Sequence, residues 1–266
     1  MTKKNFIQIN ISLSLLIVLS FFSIGCSKVS IEQDQTRETL EVVTDSSSEI
    51  DSEEAIDTYE AVLKTNLKAW GLGNSLIFYV GNNRTYDWYL DQAHTGDHSN
   101  NNCGPTTVTM AAKWANASFD GTPEDARDAF RPNGGWWYSD DIDACLERFD
   151  IDYDTIMIED AYTLRAIIDS GRIAIINNSM GYITRESDTN FHKNRFYEFD
   201  SGHYFIIKGY ALVDQYTYFE VYDPNNWDMT YADGTPMGKD RYYEASVLMA
   251  SIDNWYPYAI AINRSK

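Results

Sequence analysis

An α+β fold is predicted by three features of the sequence. Helical patterns fill its first half, strand patterns dominate its second, and the loop "LVDQ" joins two late strands as an antiparallel hairpin. The chain has 266 residues, 44% of them hydrophobic and 14% aromatic, which is enough apolar surface for one substantial core with extra segments beside it. A formal net charge of −19 argues against nucleic acid as a partner, because such a surface does not displace counterions from phosphates.

Residues 1–25 read as an export signal. Lys3 and Lys4 precede the apolar run "ISLSLLIVLSFFSIG", which is too short and too abruptly ended for a membrane span. The run closes on "SIGC", which resembles the lipobox of bacterial lipoproteins, with Ser23 where leucine is usual. That resemblance implies cleavage before Cys26, lipid on Cys26 and a place on the extracytoplasmic face of the cell membrane; a plain secretory signal is the competing reading. Loss of these residues removes two lysines and no acid, taking the charge from −19 to −21. Residues 26–54 are rich in Ser, Thr, Glu and Asp and lack aromatics, so they are expected to form a disordered acidic tether. Order is expected from residue 55 to residue 266.

The ordered part begins with "AIDTYEAVLKTNLKAW" at helical spacing and the apolar run "SLIFYV". A helix is predicted over "CGPTTVTMAAKWA", with Pro105 in the first turn, where its missing N–H costs nothing. Thr122 is the expected N-cap of "PEDARDAF", Ser139 that of "DDIDACLERF", and Gly171 closes "DAYTLRAIIDSG". Strands are predicted at "IDYDTIMI", "RIAIINNS", "HYFIIKGYAL", "YTYFEVYD" and "YAIAI".

Chemistry concentrates around "HSNNNCGPTTVTM". A thiol at a helix N-terminus sits beside unpaired N–H groups and the positive end of the helix dipole, and both favour thiolate. Cys103 is therefore placed to act as a nucleophile, with Gly104 leaving room for a substrate and the Cys103 N–H near any oxyanion formed there. The competing reading is a small buried hydrophobe. That reading suits Cys145, which shares a helical stripe with Ile142, Leu146 and Phe149.

A cysteine nucleophile needs a base, and the chain has four histidines. His203 opens a strongly apolar strand that would hold its ring still, whereas His94, His98 and His192 lie in polar loops. If residues 212–215 form the hairpin loop, 211 pairs with 216, position 224 lies opposite His203, and Asp223 is its neighbour, suited to fixing the imidazole tautomer. Alternatively, Asp223 is an ordinary turn residue before Pro224. The histidine pair in "HTGDH" lacks a third zinc ligand, and "DPNNWDMTYADG" lacks the spacing of a calcium loop, so no metal or cofactor is expected. The aromatics of "GGWWYSDD" line a groove or pack in the core, and Trp227 is positioned to shield the His–Asp pair. The polar stretch 179–201 leads directly to His203 and is expected to rim the cleft.

The chain order Cys, His, Asp, with "NNCGPTT", "GHYFIIKGY" and "VYDPNN", resembles the C39-like branch of papain-type cysteine peptidases over about residues 75–263. The resemblance implies a papain-like fold, a helical part carrying the nucleophile helix packed on a C-terminal antiparallel sheet. It implies Cys103 as nucleophile, His203 as base, Asp223 as orienting acid and Gln92 as second oxyanion donor, though Gln92 also reads as a surface glutamine. The expected function is a lipid-anchored cysteine peptidase acting on a peptide or protein, including cell-wall peptide. A cell-wall amidase or acyl-transferase with the same triad is the alternative, as is a lipoprotein that only binds peptide.

Overall fold

The computed structural model of the chain describes residues 58–264, which belong to one compact unit. The expected signal (1–25), Cys26, the tether (26–54) and the expected start of the domain at residue 55 lie outside the described residues. Among the described residues no helix is long and apolar enough to cross a membrane.

The described residues form six α-helices and seven strands. Helix α1 covers residues 58–66, and strand β1 spans Leu76–Gly81. Then come α2 (Cys103–Ala115), α3 (Pro123–Ala129), α4 (Ser139–Arg148), β2 (Tyr153–Met157) and α5 (Ala161–Asp169). The chain ends with β3 (Ile173–Ser179), β4 (Gly202–Val213), β5 (Tyr216–Tyr222), β6 (Arg241–Glu244), α6 (Ala245–Asp253) and β7 (Tyr258–Ile262). All strands join one antiparallel sheet ordered β2-β7-β3-β4-β5-β6, with β1 pairing the second half of β4.

The mixture of helix and antiparallel sheet is as expected, but the expected division into a helical part and a following sheet is not. Helices cover both faces of the sheet, and β1 precedes most of them. Strands β3, β4 and β7 are almost continuously apolar, so each side of them needs cover. On one face Ile173, Ile175, Tyr204, Ile206 and Ile260 pack with α2 and α4. On the other, Ala174, Ile176, Phe205, Ile207 and Ala261 pack with α5 and α6.

Local signals act as expected in α2, whose bounds match the predicted run, and in α3. There the Thr122 hydroxyl accepts from the Asp125 N–H at 3.1 Å while the Asp125 carboxylate accepts from the Thr122 N–H at 2.9 Å, a capping box. Gly171, at φ +81°, closes α5 in a conformation that a side chain resists. Ser139 is not a cap; it is the first helical residue of α4, and Tyr138 holds the cap position. Asp141 takes over the cap's work by accepting the Tyr138 N–H at 2.8 Å, and Arg131 holds that same carboxylate oxygen at 2.7 Å.

The β4–β5 hairpin is tighter than "LVDQ" predicts. Val213 pairs with Tyr216, so the loop is Asp214 and Gln215, with Asp214 at φ +53°. A bulge between Ile207 and Gly209 then takes up one residue, and Ile206 faces Tyr222. Carried to the strand ends, this phase places position 225 opposite His203, with Asp223 two residues away on the same face. The expected pairing of 211 with 216 would have turned Asp223 to the other face.

Candidate active site

The fold brings Cys103, His203, Asp223 and Gln92 to one end of the sheet. Cys103 is the first residue of α2, which begins where Thr106 N–H bonds to Asn102 O at 2.9 Å. The loop before it is fixed by a residue that the sequence did not single out. Arg127, buried on α3, donates to Asn102 Oδ1 and Asn101 O, both at 2.7 Å, and Asn102 in turn donates to Thr95 O at 2.8 Å. Nothing in "PEDARDAF" sets Arg127 apart in the sequence. The Cys103 and Gly104 N–H groups lie in the first turn, where no helical carbonyl can reach them. Gly104 does not serve the expected purpose: a Cβ there would stand 2.9 Å from Trp137 Cβ, so its bareness lets Trp137 pack on the helix start.

His203 is the second residue of β4 and is buried. Its Nε2 lies 2.7 Å from Asp223 Oδ1, and the ring and the Cys103 thiol shift each other's ionisation. Asp223 is saturated with donors: the Asn225 N–H also reaches Oδ1 at 2.9 Å, while Oδ2 accepts the hydroxyls of Tyr197 at 2.7 Å and Tyr243 at 2.6 Å. Neither tyrosine carries a sequence signal among the 19 of the chain.

These contacts set the charges. Burial alone would push the Cys103 thiol up, but the hydrogen bond and charge of His203, with the Tyr204 and Gly104 N–H groups, hold it below its ordinary value. Burial would likewise lower His203, yet Asp223 and Cys103 raise it to about 10. Burial disfavours the Asp223 carboxylate, and His203, Tyr243 and the Asn225 N–H outweigh that and hold it below the usual carboxylate range. The arrangement favours a thiolate–imidazolium pair. Cys145 is the contrasting case: buried in the core beside Ile142 and Leu146, it is pushed up to about 12.

A cleft of about 400 Å³ opens on the pair, and Gln92, Cys103, Tyr197, Phe199, His203 and Trp227 contribute to its walls. Gln92 is buried there; its Nε2 donates to Ser99 O at 3.2 Å, leaving a second amide hydrogen on that nitrogen. Asp91 beside it braces the opposite rim, accepting the N–H groups of Trp227 at 3.0 Å and Asp228 at 2.9 Å. Trp227 donates from its indole to Asn225 Oδ1 at 2.7 Å. The 179–201 stretch does reach the cleft, through Tyr197 and Phe199. Across Cys103 a second hollow of about 250 Å³ is walled by Trp136, Trp137, Tyr138, Tyr204 and Trp255. The "GGWWYSDD" aromatics thus divide, Trp136 and Tyr138 standing exposed and Trp137 buried.

The remaining histidines have other partners. His94 pairs with Asp228 at 2.7 Å on the surface, and His98 bonds to Pro132 O at 3.2 Å. His192 stacks between Trp70 and Tyr231 at centroid distances of 4.2 and 3.6 Å, and burial, with Arg241 nearby, lowers it to about 4. Among the described residues no group of three or more His, Cys, Asp and Glu is arranged to hold a metal ion.

No family model and no curated protein matches the chain. Among solved structures it is similar to a Bacillus anthracis protein provisionally named a C39-like peptidase. The identity is 13% and the TM-score 0.47, over 71% of this chain and 100% of that one. At that score and identity the likeness carries no weight for the chemistry of the site.

Proposed function

We propose that the chain is a cysteine peptidase of the papain type, with a C39-like arrangement of Cys103, His203, Asp223 and Gln92. Further, we propose that it is exported and held to the membrane by lipid on Cys26. The observation that carries the enzymatic reading is the hydrogen-bonded His203–Asp223 pair beside a thiol at a helix N-terminus, with Cys103 and His203 lining one open cleft.

The steps follow from that run. The Cys103 thiolate attacks the peptide carbonyl carbon; the C–S bond forms as the carbonyl electrons move to oxygen, beside the Cys103 N–H and the Gln92 amide. When the C–N bond breaks, the imidazolium of His203 passes its proton to the departing amine. Water then gives a proton to neutral His203 and attacks the thioester, releasing the acid and restoring the thiolate. Because the amine leaves beside His203, the cleft walled by His203 and Trp227 takes the leaving-group side of the substrate. The hollow of Trp136, Tyr138 and Trp255, which lacks His203, takes the acyl side and suits a bulky apolar side chain.

Incubating the purified protein with a peptide library, and separately with cell-wall fragments, tests the reading by mass spectrometry. New peptide termini that vanish in Cys103→Ala are expected. Amine adducts would assign acyl transfer instead, and no product from either substrate would leave a binding protein and overturn the reading. The anchor is tested by detergent partitioning: the native chain is expected in the detergent phase and Cys26→Ser outside it, and equal solubility would reject the lipid.

A further inference from the structure

The carboxylate of Asp223 is gripped on both oxygens, and the grip on Oδ2 comes from two elements unrelated in sequence. Tyr243 belongs to β6, while Tyr197 belongs to the stretch between β3 and β4. That stretch is tied down by Arg195, whose Nε donates to Ile183 O at 2.8 Å and whose guanidinium donates to Phe199 O at 2.6 Å. Both hydroxyls are buried, and both point at an oxygen that His203 does not use. A carboxylate that only had to orient an imidazole would need one oxygen held. Holding the other with two hydroxyl donors also draws charge out of it.

We propose that Tyr197 and Tyr243 are positioning residues that set the acid strength of His203 through Asp223. Each hydroxyl withdraws negative charge from Oδ2 and so weakens the carboxylate's hold on the imidazolium proton. The consequence is chemical. The buried Asp223 raises His203 to about 10, and an imidazolium held more firmly than that is a poor donor to a leaving amine. The groups facing the His203–Asp223 pair are Cys103 from α2, Tyr197, Tyr243, and Tyr89, whose hydroxyl donates to the Asp223 carbonyl at 3.0 Å. Arg241 acts on Tyr243 and Arg127 on Cys103 from further out. Of these, only Tyr197 and Tyr243 touch Oδ2 by side-chain hydrogen bonds.

The inference rests on the peptidase reading for its kinetic part only, and a first measurement is independent of turnover. In Cys103→Ala protein, the titration of His203 is followed by NMR of labelled histidine, with and without Tyr197→Phe or Tyr243→Phe. Losing one donor is expected to move that titration upward by about 0.5 to 1 pH unit, a part of the worth of one hydrogen bond to a charged group because the effect reaches the ring through the carboxylate. In protein with Cys103 intact, the alkaline limb of activity should move the same way. Amide turnover should fall, because acylation needs the proton, while hydrolysis of an activated ester, whose leaving group needs none, should hold or rise. A role confined to holding Asp223 in place predicts the reverse: His203 titrates lower and both substrates slow together. That result, or an unmoved titration, would overturn the proposal. Should a phenylalanine variant not fold, fluorotyrosine placed at position 197 keeps the contact and strengthens donation, and the titration should then move downward; movement upward, or none, would also overturn it.

Discussion

Two buried clusters on β4, five residues apart, are built to the same plan and differ in what they can do. In one, His203 faces Asp223, whose free oxygen accepts Tyr197 and Tyr243. In the other, Lys208 faces Glu220 at 3.0 Å, and Glu220 accepts Tyr79 at 2.6 Å and Tyr242 at 3.0 Å. The neighbours Tyr242 and Tyr243 thus serve carboxylates on opposite faces of the sheet. The difference lies beyond the carboxylate. Lys208 also pairs with Asp240 at 2.7 Å and donates to Asn83 Oδ1 at 2.5 Å, so its buried ammonium is surrounded by protein oxygens. His203 has one nitrogen left, and a thiol on a cleft occupies it. The same buried charge pair is a structural pin when its cation is saturated and a candidate catalyst when one valence opens on a cleft.

The two clusters differ most in what the thiol adds. Cys103→Ala is expected to remove turnover completely while shifting stability by no more than about 1 kcal/mol, as read by peptide cleavage beside a urea titration. Cys145→Ala should do the opposite, keeping cleavage and losing about 1 to 2 kcal/mol to the cavity it leaves in the core.

At the other cluster, Lys208→Met should cost about 3 to 5 kcal/mol, because the buried Glu220 and the partly buried Asp240 lose their cation. Among molecules that remain folded, an electrophile should label Cys103 at the native rate. Slowed labelling in folded Lys208→Met would show that the two clusters are not independent and that the β4 bulge transmits between them.

How much of this was readable from sequence follows the range of each interaction. The limits of α2 and the N-cap at Thr122 depend on residues within four positions, and the sequence showed them. The thiol, base and acid stood out because each lies in a short distinctive stretch. The phase joining them did not: it depends on Asp214 adopting a left-handed turn without a following glycine, and on a bulge at Lys208 that leaves no local mark. Tyr197, Tyr243 and Arg127 were missed for a similar reason. Their partners are 20 or more residues away, and a lone tyrosine or helix arginine is ordinary until the fold supplies its contact.

The His203 cluster also predicts definite pH responses. Activity should rise as the Cys103 thiol ionises, below its ordinary range, and fall as His203 loses its proton near pH 10, the limbs belonging to the coupled pair. Stability follows the same groups with definite signs. His203 is raised in the fold, so its contribution is whole below its unfolded value and is lost as pH climbs through about 10. Asp223 is lowered, so its contribution is whole above the ordinary carboxylate range and is lost as pH falls through its depressed value. Asp223→Asn should flatten the acid loss in a pH series of denaturant titrations, and an unchanged slope would remove Asp223 from that account.

The smallest expected effect lies at the open side of the His203 cluster. Trp255 lies half exposed over Gly202, where a Cβ would come within 2.4 Å of its ring, and its indole donates to Asn177 Oδ1 at 3.0 Å. It therefore forms a fixed wall of the hollow proposed for the acyl side, although no atom of it belongs to the cluster around His203. Trp255→Ala should lower kcat/KM by about tenfold for peptides with an aromatic or large aliphatic residue on the acyl side, the order expected for one lost apolar contact surface. Peptides carrying alanine or glycine there should be cleaved as before, because the thiolate, the base and the leaving-group cleft are untouched. Kinetics on paired peptides decide the matter. A uniform loss across both sets would mean that Trp255 supports the geometry of Cys103, and equal rates on both in the native enzyme would mean that the hollow does not select.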